Sequence, residues 1–282
     1  MKRQRTRLDV ELFRQGLFPS REAARRAVMA GWVRVDGQLL DKPGTPVVID
    51  VPVELVRSPS RYVSRGGLKL ERALQEFDVS LNGKRILDVG ASTGGFTDCA
   101  LQFGADFVYA VDVGYGQLAW KLRSDPRVMV LERTNFRHIS AELLNPPPEI
   151  AVMDVSFISI RLLLDRLKTV LTQPADLISL IKPQFEAGRG RVGKGGIVRD
   201  PQVHMEVLLD IIEFAANLEL ECKGITVSPI TGGDGNIEFL VWWHWPGATG
   251  CDLTGSLSLW RERVRQVVLE AWRELKGCEV EM

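Results

Sequence analysis

The chain has 282 residues, and its 36 lysines and arginines are balanced by 36 aspartates and glutamates, so a formal charge of zero names no polyanionic partner by itself. Nowhere do 18 apolar residues run together, and the basic start leads into Leu8-Asp9-Val10-Glu11 instead of an apolar stretch, which argues against a membrane span and a secretory leader. Cys99, Cys222, Cys251 and Cys278, like His138, His204 and His244, show no metal-ligand spacing, so the expectation is reduced thiols, no zinc and a cytoplasmic location.

Charge is unevenly spread. Residues 1–34 hold nine lysines or arginines (Lys2, Arg3, Arg5, Arg7, Arg14, Arg21, Arg25, Arg26, Arg34) against three acids (Asp9, Glu11, Glu22). Leu8, Leu12 and Phe13 fit one helical face. Ser20 is a good N-cap for a second helix over 21–30, closed by Gly31, with Arg21, Arg25 and Arg26 on its exposed side. Asp36-Gly37 marks a hairpin, and an alternating strand is expected over Val47–Val56 after Lys42-Pro43-Gly44.

Residues 57–68 carry turn residues and no periodicity. We therefore expect an N-terminal domain over 1–60, a linker over 61–68 and a second domain over 69–282, its first helix starting at Lys69. From residue 84 on, seven apolar β-like runs alternate with amphipathic helices: 84–90, 106–113, 127–131, 149–155, 176–182, about 220–228 and 236–245. The pattern predicts an α/β fold, a doubly wound and mostly parallel sheet. Trp242, Trp243 and Trp245 sit in an apolar run and are assigned to core and rim packing. The late helix over 257–275 repeats apolar residues at spacings of three and four, as a helix packed on its own domain does.

In such a sheet, ligands bind beyond the carboxyl ends of the strands. The first run ends in Asp88-Val-Gly90-Ala91-Ser92-Thr-Gly94-Gly95-Phe96-Thr97, and the second ends at Asp112, 22 positions after Gly90, where a carboxylate meets a ribose diol. The glycine spacing departs from the dinucleotide pattern. Asp154 closes the run Ile150–Met153 and Lys182 closes Leu177–Ile181, so both charges are expected on the edge that carries the glycine turn. If the last strand is antiparallel, Glu238 at its start belongs there too and faces Lys182.

The N-terminal pattern Arg7-Leu-Asp, Ser20-Arg21-x-x-Ala24, Gly31-x-Val33-x-Val35-Asp-Gly37 and Lys42-Pro43 resembles the small RNA-binding domain named after the fourth protein of the small ribosomal subunit. A turn beginning Asp-Val-Gly-Ala resembles the S-adenosylmethionine turn of methyltransferases. Lys69, Asp154, Lys182 and Glu238 around it look like the tetrad of the FtsJ-like ribose 2′-O-methyltransferases. Ser64-Arg-Gly-Gly-x-Lys69, Asp154-Val-Ser-Phe-Ile-Ser159, Ile181-Lys-Pro-Gln-Phe-Glu186, Val192-Gly-Lys-Gly-Gly196 and Val198-Arg-Asp200 are similar to the TlyA branch of that family. The resemblance covers about Arg5 to Trp245.

That resemblance implies a two-domain enzyme that methylates cytidine riboses of ribosomal RNA, in the small subunit or in both. The catalytic residues would be Lys69, Asp154, Lys182 and Glu238. The cofactor S-adenosylmethionine would touch Asp88, Gly90, Ala91, Ser92, Gly94, Gly95, Phe96, Thr97, Asp112, Val113, Asn135 and Asp154. RNA would meet Arg5, Arg7, Arg21, Arg25, Arg26, Lys42, Arg65, Arg189, Arg191 and Lys194. No metal and no membrane is expected, and the oligomeric state is open. Lys182 is the candidate to take the hydroxyl proton, with a charged Lys182 stabilising developing alkoxide as the alternative. Some members of the family carry the label haemolysin. A non-catalytic assembly factor on the same fold is the competing reading.

Overall fold

The structure, a computed structural model, describes residues 4–29, 31–55, 61–247 and 257–278. Lys2, Arg3, Ala30, Val56, residues 57–60 of the turn-rich segment and Cys251 lie outside the described residues. The chain divides into two compact units, Met1–Arg61 and Tyr62–Met282.

In the smaller unit, strand β1 (Arg5–Arg7) runs directly into helix α1 (Leu8–Arg14), and helix α2 (Arg21–Met29) follows. Ser20 Oγ accepts a hydrogen bond from Ala23 N at 3.1 Å, the N-cap its position predicts, and Gly31 turns the chain at φ 70°. Leu8 and Leu12 are buried against Ala24, Ala27 and Val28. Phe13, expected on the same face, is 49 % exposed. Five helical positions from Leu8 rotate its side chain about 140° away.

Strands β2 (Val33–Val35) and β3 (Gln38–Leu39) form the hairpin, with Asp36 and Gly37 at φ 50° and 75°, the left-handed pair a two-residue loop requires. The single strand expected over Val47–Val56 is instead two. Strand β4 (Pro46–Val48) pairs with β1, and β5 (Val53–Leu55) pairs with β2. Between them Asp50 adopts φ 61° and donates its backbone N–H to the Glu11 carboxylate at 2.8 Å, which bends the chain from one sheet to the other.

The larger unit is a seven-stranded sheet in the order β11-β12-β10-β9-β6-β7-β8. Its strands are β6 (Arg85–Val89), β7 (Phe107–Val111), β8 (Val128–Leu131), β9 (Ile150–Met153), β10 (Ala175–Ile181), β11 (Glu221–Val227) and β12 (Phe239–Trp245). Only β12 runs against its neighbours β10 and β11. Alternate residues of each strand feed opposite faces, so Leu87 and Val89 join one core cluster and Ile86 joins the other.

Helix α3 (Gly66–Phe77), helix α4 (Gly95–Gln102) and the short α5 (Trp120–Arg123) cover one face; α6 (Arg161–Val170), α8 (Pro201–Ala216) and α9 (Leu257–Lys276) cover the other. Trp243 and Trp245 are buried, and Val264, Val267, Val268 and Ala271 of α9 join the core, as their pattern predicts.

The expected linker over 61–68 needs correction. Tyr62 is buried in the larger unit's core, and α3 begins at Gly66, three residues before Lys69. A side chain at Gly67 would place its Cβ 2.2 Å from the Tyr62 ring, so this glycine, which reads as turn punctuation, is there for close packing.

Candidate active site

The strand order reverses between β6 and β9, whose carboxyl ends are tied by the bond from Asp154 N to Val89 O at 3.1 Å. An open sheet leaves its crevice at that point. Asp154 follows β9, Lys182 follows β10 as the residue before the short helix α7 (Pro183–Glu186), and Glu238 precedes the antiparallel strand β12. Lys69 enters from α3.

The four side chains form one connected row. Lys182 Nζ lies 2.6 Å from Asp154 Oδ1, Lys69 Nζ 3.3 Å from Asp154 Oδ2, and Lys69 Nζ 2.6 Å from Glu238 Oε2. Lys69, Lys182 and Glu238 are buried. Glu238 therefore pairs with Lys69, not with Lys182 as its strand position suggested, because α3 places Lys69 between the two carboxylates. Burial alone would raise the Asp154 carboxyl, but Lys69 and Lys182 outweigh it and hold Asp154 below the usual range. Burial would likewise lower Lys69, and the charges of Asp154 and Glu238 reverse the sign, keeping its ammonium above the ordinary lysine value.

The three turn glycines have three separate reasons. At Gly90 a Cβ would stand 2.7 Å from Asp154 O, at Gly94 2.2 Å from Leu122 Cδ1, and at Gly95 2.4 Å from Ser64 Oγ. Gly90 and Gly94 also take φ 87° and 94°. Gly90, Ala91, Ser92, Gly95 and Phe96 line a polar cavity of about 290 Å³ that also holds Arg65, Lys69, Asp154 and Lys182. A second cavity of about 390 Å³ shares Gly90, Ser92 and Asp154 and adds Asp112, Val113 and Asn135, with Val89, Val111, Phe136 and Leu163 as apolar walls.

Asp112 Oδ2 accepts from Ser92 N at 2.8 Å and Oδ1 from Gly114 N at 2.6 Å, so the backbone fixes this carboxylate at the cavity edge. An apolar slot with an oriented carboxylate at the end of β7 fits a nucleoside with its ribose diol.

Asp88 and Thr97 line neither of these cavities. They face each other in the interior, where Thr97 Oγ1 donates to Asp88 Oδ2 at 2.6 Å. Burial is the main cause that pushes Asp88 up to about 7, with the nearby Asp154 and Asp112 charges adding to it. Gly94 likewise turns to the core. These three shape the turn from behind.

Of the expected RNA-contacting residues, Arg5, Arg7, Arg21, Arg25, Arg26, Lys42, Arg65 and Lys194 are exposed. Arg191 is exposed as well, while its Nε donates to Ala187 O at 2.9 Å and its Nη1 pairs with Glu206 at 2.6 Å. The side chain of Arg189 lies outside the described residues.

Several residues carried no signal of their own in the sequence. Ser156 Oγ accepts from Lys182 Nζ at 2.8 Å. Glu186 of α7 accepts from Ser159 Oγ at 2.7 Å and Ile160 N at 2.8 Å, fastening the loop after Asp154 to the helix after Lys182. Asn236, buried, accepts from Val198 N at 3.0 Å and donates to Gly196 O at 2.9 Å, anchoring the glycine-rich loop 193–198 near Glu238. Phe157, at φ 65° and 91 % exposed, lies beside Phe185 with ring centroids 5.2 Å apart. Only the segments that contain these residues stood out, because hydrogen-bond partners from separate segments leave no local spacing.

Residues 62–245 match the model of the FtsJ-like methyltransferases, and residues 6–50 match the S4 domain. The chain is 55 % identical to the YqxC protein of Bacillus subtilis (strain 168) over 277 residues, 98 % of this chain and 97 % of that one. It is 46 % identical over 239 residues to the 16S/23S rRNA (cytidine-2'-O)-methyltransferase TlyA of Mycobacterium tuberculosis, covering 84 % of this chain and 89 % of that one. A solved structure from Streptococcus thermophilus superposes with a TM-score of 0.74 at 44 % identity, covering 98 % of both chains. The chain belongs to the TlyA family of FtsJ-like methyltransferases, in which an S4 domain precedes the methyltransferase domain.

Proposed function

We propose that this chain transfers the methyl group of S-adenosylmethionine to the ribose 2′-oxygen of a cytidine in ribosomal RNA. The row Lys182–Asp154–Lys69–Glu238, whose first three members line the glycine-turn cavity, carries the reading. S-adenosylmethionine supplies an electrophilic methyl and one positive charge. Gly90, Ala91, Ser92, Asp112, Val113 and Asn135 would hold it, with Asp112 toward the ribose diol.

Among the chain's own groups, Lys69 is the fixed charge, since Glu238 and Asp154 together favour its ammonium. Lys182 pairs with Asp154 as an ammonium; to act it first gives one proton to solvent, and its neutral amine Nζ then takes the proton of the attacking hydroxyl and ends as the ammonium again. Asp154 Oδ1 and Ser156 Oγ hold that nitrogen from two sides, so the hydroxyl meets an acceptor whose position is already set. Asp154 and Glu238 balance the two lysines.

The S4 unit, with exposed Arg5, Arg7, Arg21, Arg25, Arg26 and Lys42, would grip RNA phosphates, and Arg65 and Lys194 would extend that grip in the larger unit. We take residues 1–61 as the RNA-binding domain and 62–282 as the methyltransferase domain. Among the described residues no helix is long and apolar enough to cross a membrane, and no feature favours a lytic role.

The experiment incubates the chain with ribosomal RNA or subunits and methyl-labelled S-adenosylmethionine, then digests the RNA to nucleosides. Label is expected in 2′-O-methylcytidine. Label confined to a base, or none transferred, would reject the proposal.

A further inference from the structure

Helix α1 carries two buried carboxylates that methyl transfer does not use, Asp9 at 1 % exposure and Glu11 at 0 %. Each is met by arginine, but in different proportions. Glu11 accepts from Arg14 Nε at 2.9 Å and Nη2 at 2.7 Å, and Arg14 also pairs with the Asp50 carboxylate. One guanidinium against two carboxylates leaves that group at −1.

Asp9 is shared the other way. Arg7 donates Nε to Oδ1 at 2.9 Å and Nη2 to Oδ2 at 3.1 Å, and Arg21 donates Nε to Oδ2 at 3.0 Å. Two guanidinium groups against one carboxylate leave +1. Burial raises the Asp9 carboxyl, and the two arginines bring it below the usual carboxylate range. The Arg7 and Arg21 side chains nevertheless stay 53 % and 57 % exposed. Among the described residues, no hydrogen bond takes up Arg7 Nη1 or either terminal nitrogen of Arg21. The backbone at Gly44 leaves room for Arg7, because a Cβ there would lie 3.3 Å from Arg7 Nη1.

We propose that Asp9 is a positioning residue that holds Arg7 and Arg21 as a preformed fork for a phosphodiester group of the RNA backbone. The inference rests on the reading of the S4 unit as an RNA grip. Two long side chains otherwise lose their rotamer freedom when they bind, and a buried carboxylate that has already ordered them lowers that cost. Charge counting alone makes the opposite prediction: deleting an acid from an anion-binding surface should tighten RNA binding. The sign of the effect separates the two.

The test measures binding of the full chain to purified ribosomal RNA across a range of salt. Asp9→Asn is expected to weaken binding about tenfold, and to make the plot of log K against log salt shallower by about 1, as one or two RNA phosphates are no longer neutralised. Arg7→Lys with Arg21→Lys keeps every charge but lacks the guanidinium edges, and is expected to lose as much. In an Arg7→Ala, Arg21→Ala background Asp9→Asn should change affinity no further.

Binding by folded Asp9→Asn that equals or exceeds the wild type, with an unchanged salt slope, overturns the proposal. A further tenfold loss in the double-alanine background makes Asp9 merely structural and also overturns it. Should Asp9→Asn fail to fold, the double-lysine variant decides, and wild-type binding by it counts against the fork. A wild type that binds ribosomal RNA without salt dependence would instead remove the RNA-grip reading itself.

Discussion

In the larger unit Asp154 is shared between Lys69 and Lys182, and all three are largely withdrawn from water. In the smaller unit Asp9 is shared between Arg7 and Arg21, whose side chains remain more than half exposed. A carboxylate shared between two cations thus serves different ends, and in the larger unit Glu238 brings the row to two acids against two lysines. Lysines, as compact charges in a dry pocket, respond strongly to neighbours and can move a proton, while arginines keep their charge and present planar donor edges to a solvated phosphate. The chain lengths differ too. Asp9 lies within 12 positions of each of its partners, whereas Lys69 and Glu238 are 169 apart.

The contrast is sharpest in stability. Glu238→Ala leaves Lys69 buried with only the 3.3 Å partner Asp154, and breaking such a pair costs about 3–5 kcal/mol. Urea unfolding should show that loss; a change below about 1 kcal/mol would mean that the row is better solvated than its burial implies.

Asp88 offers a test behind the turn. Its folded value of about 7 lies above the ordinary 3.8, so the folded state holds its proton after the unfolded chain has released it. Stability from this group is fully present below about pH 4 and is lost as pH rises toward 7. Asp88→Asn should remove that fall, a difference on the order of 3 kcal/mol between pH 4 and 7, read as the gap between the two proteins' unfolding midpoints. Parallel profiles would show that Asp88 is ionised throughout.

The smallest effect is expected at the exposed pair Arg25–Glu22, 3.7 Å apart. Glu22→Ala should change stability by less than about 0.5 kcal/mol, and a loss like that of Glu238→Ala would erase the distinction between buried and exposed charge.

Most of the sheet was legible because its strands are continuous apolar runs bounded by turns: β6 to β12 begin and end within three residues of the expected runs. The glycine turn and the four site residues were legible through family resemblance as well as position at strand ends. Partner choice was not. Glu238 meets Lys69 because α3 carries that lysine across the sheet edge, a fact about packing that no spacing between residues 69 and 238 encodes. The start of α3 was hidden because Gly66 and Gly67 have the composition of a turn while Tyr62 packs where a Cβ at Gly67 would stand. Asp50 hid the break between β4 and β5 in the same way, since its left-handed backbone answers to Glu11, 39 positions earlier.

Lys182 tests the central claim most directly, because methyl transfer and cofactor binding can be measured on the same preparation. Lys182→Ala should cut transfer of labelled methyl to ribosomal RNA by about 10³-fold while the dissociation constant for S-adenosylmethionine stays within about twofold. Transfer close to the wild-type rate would contradict the assignment of the hydroxyl proton to Lys182 Nζ.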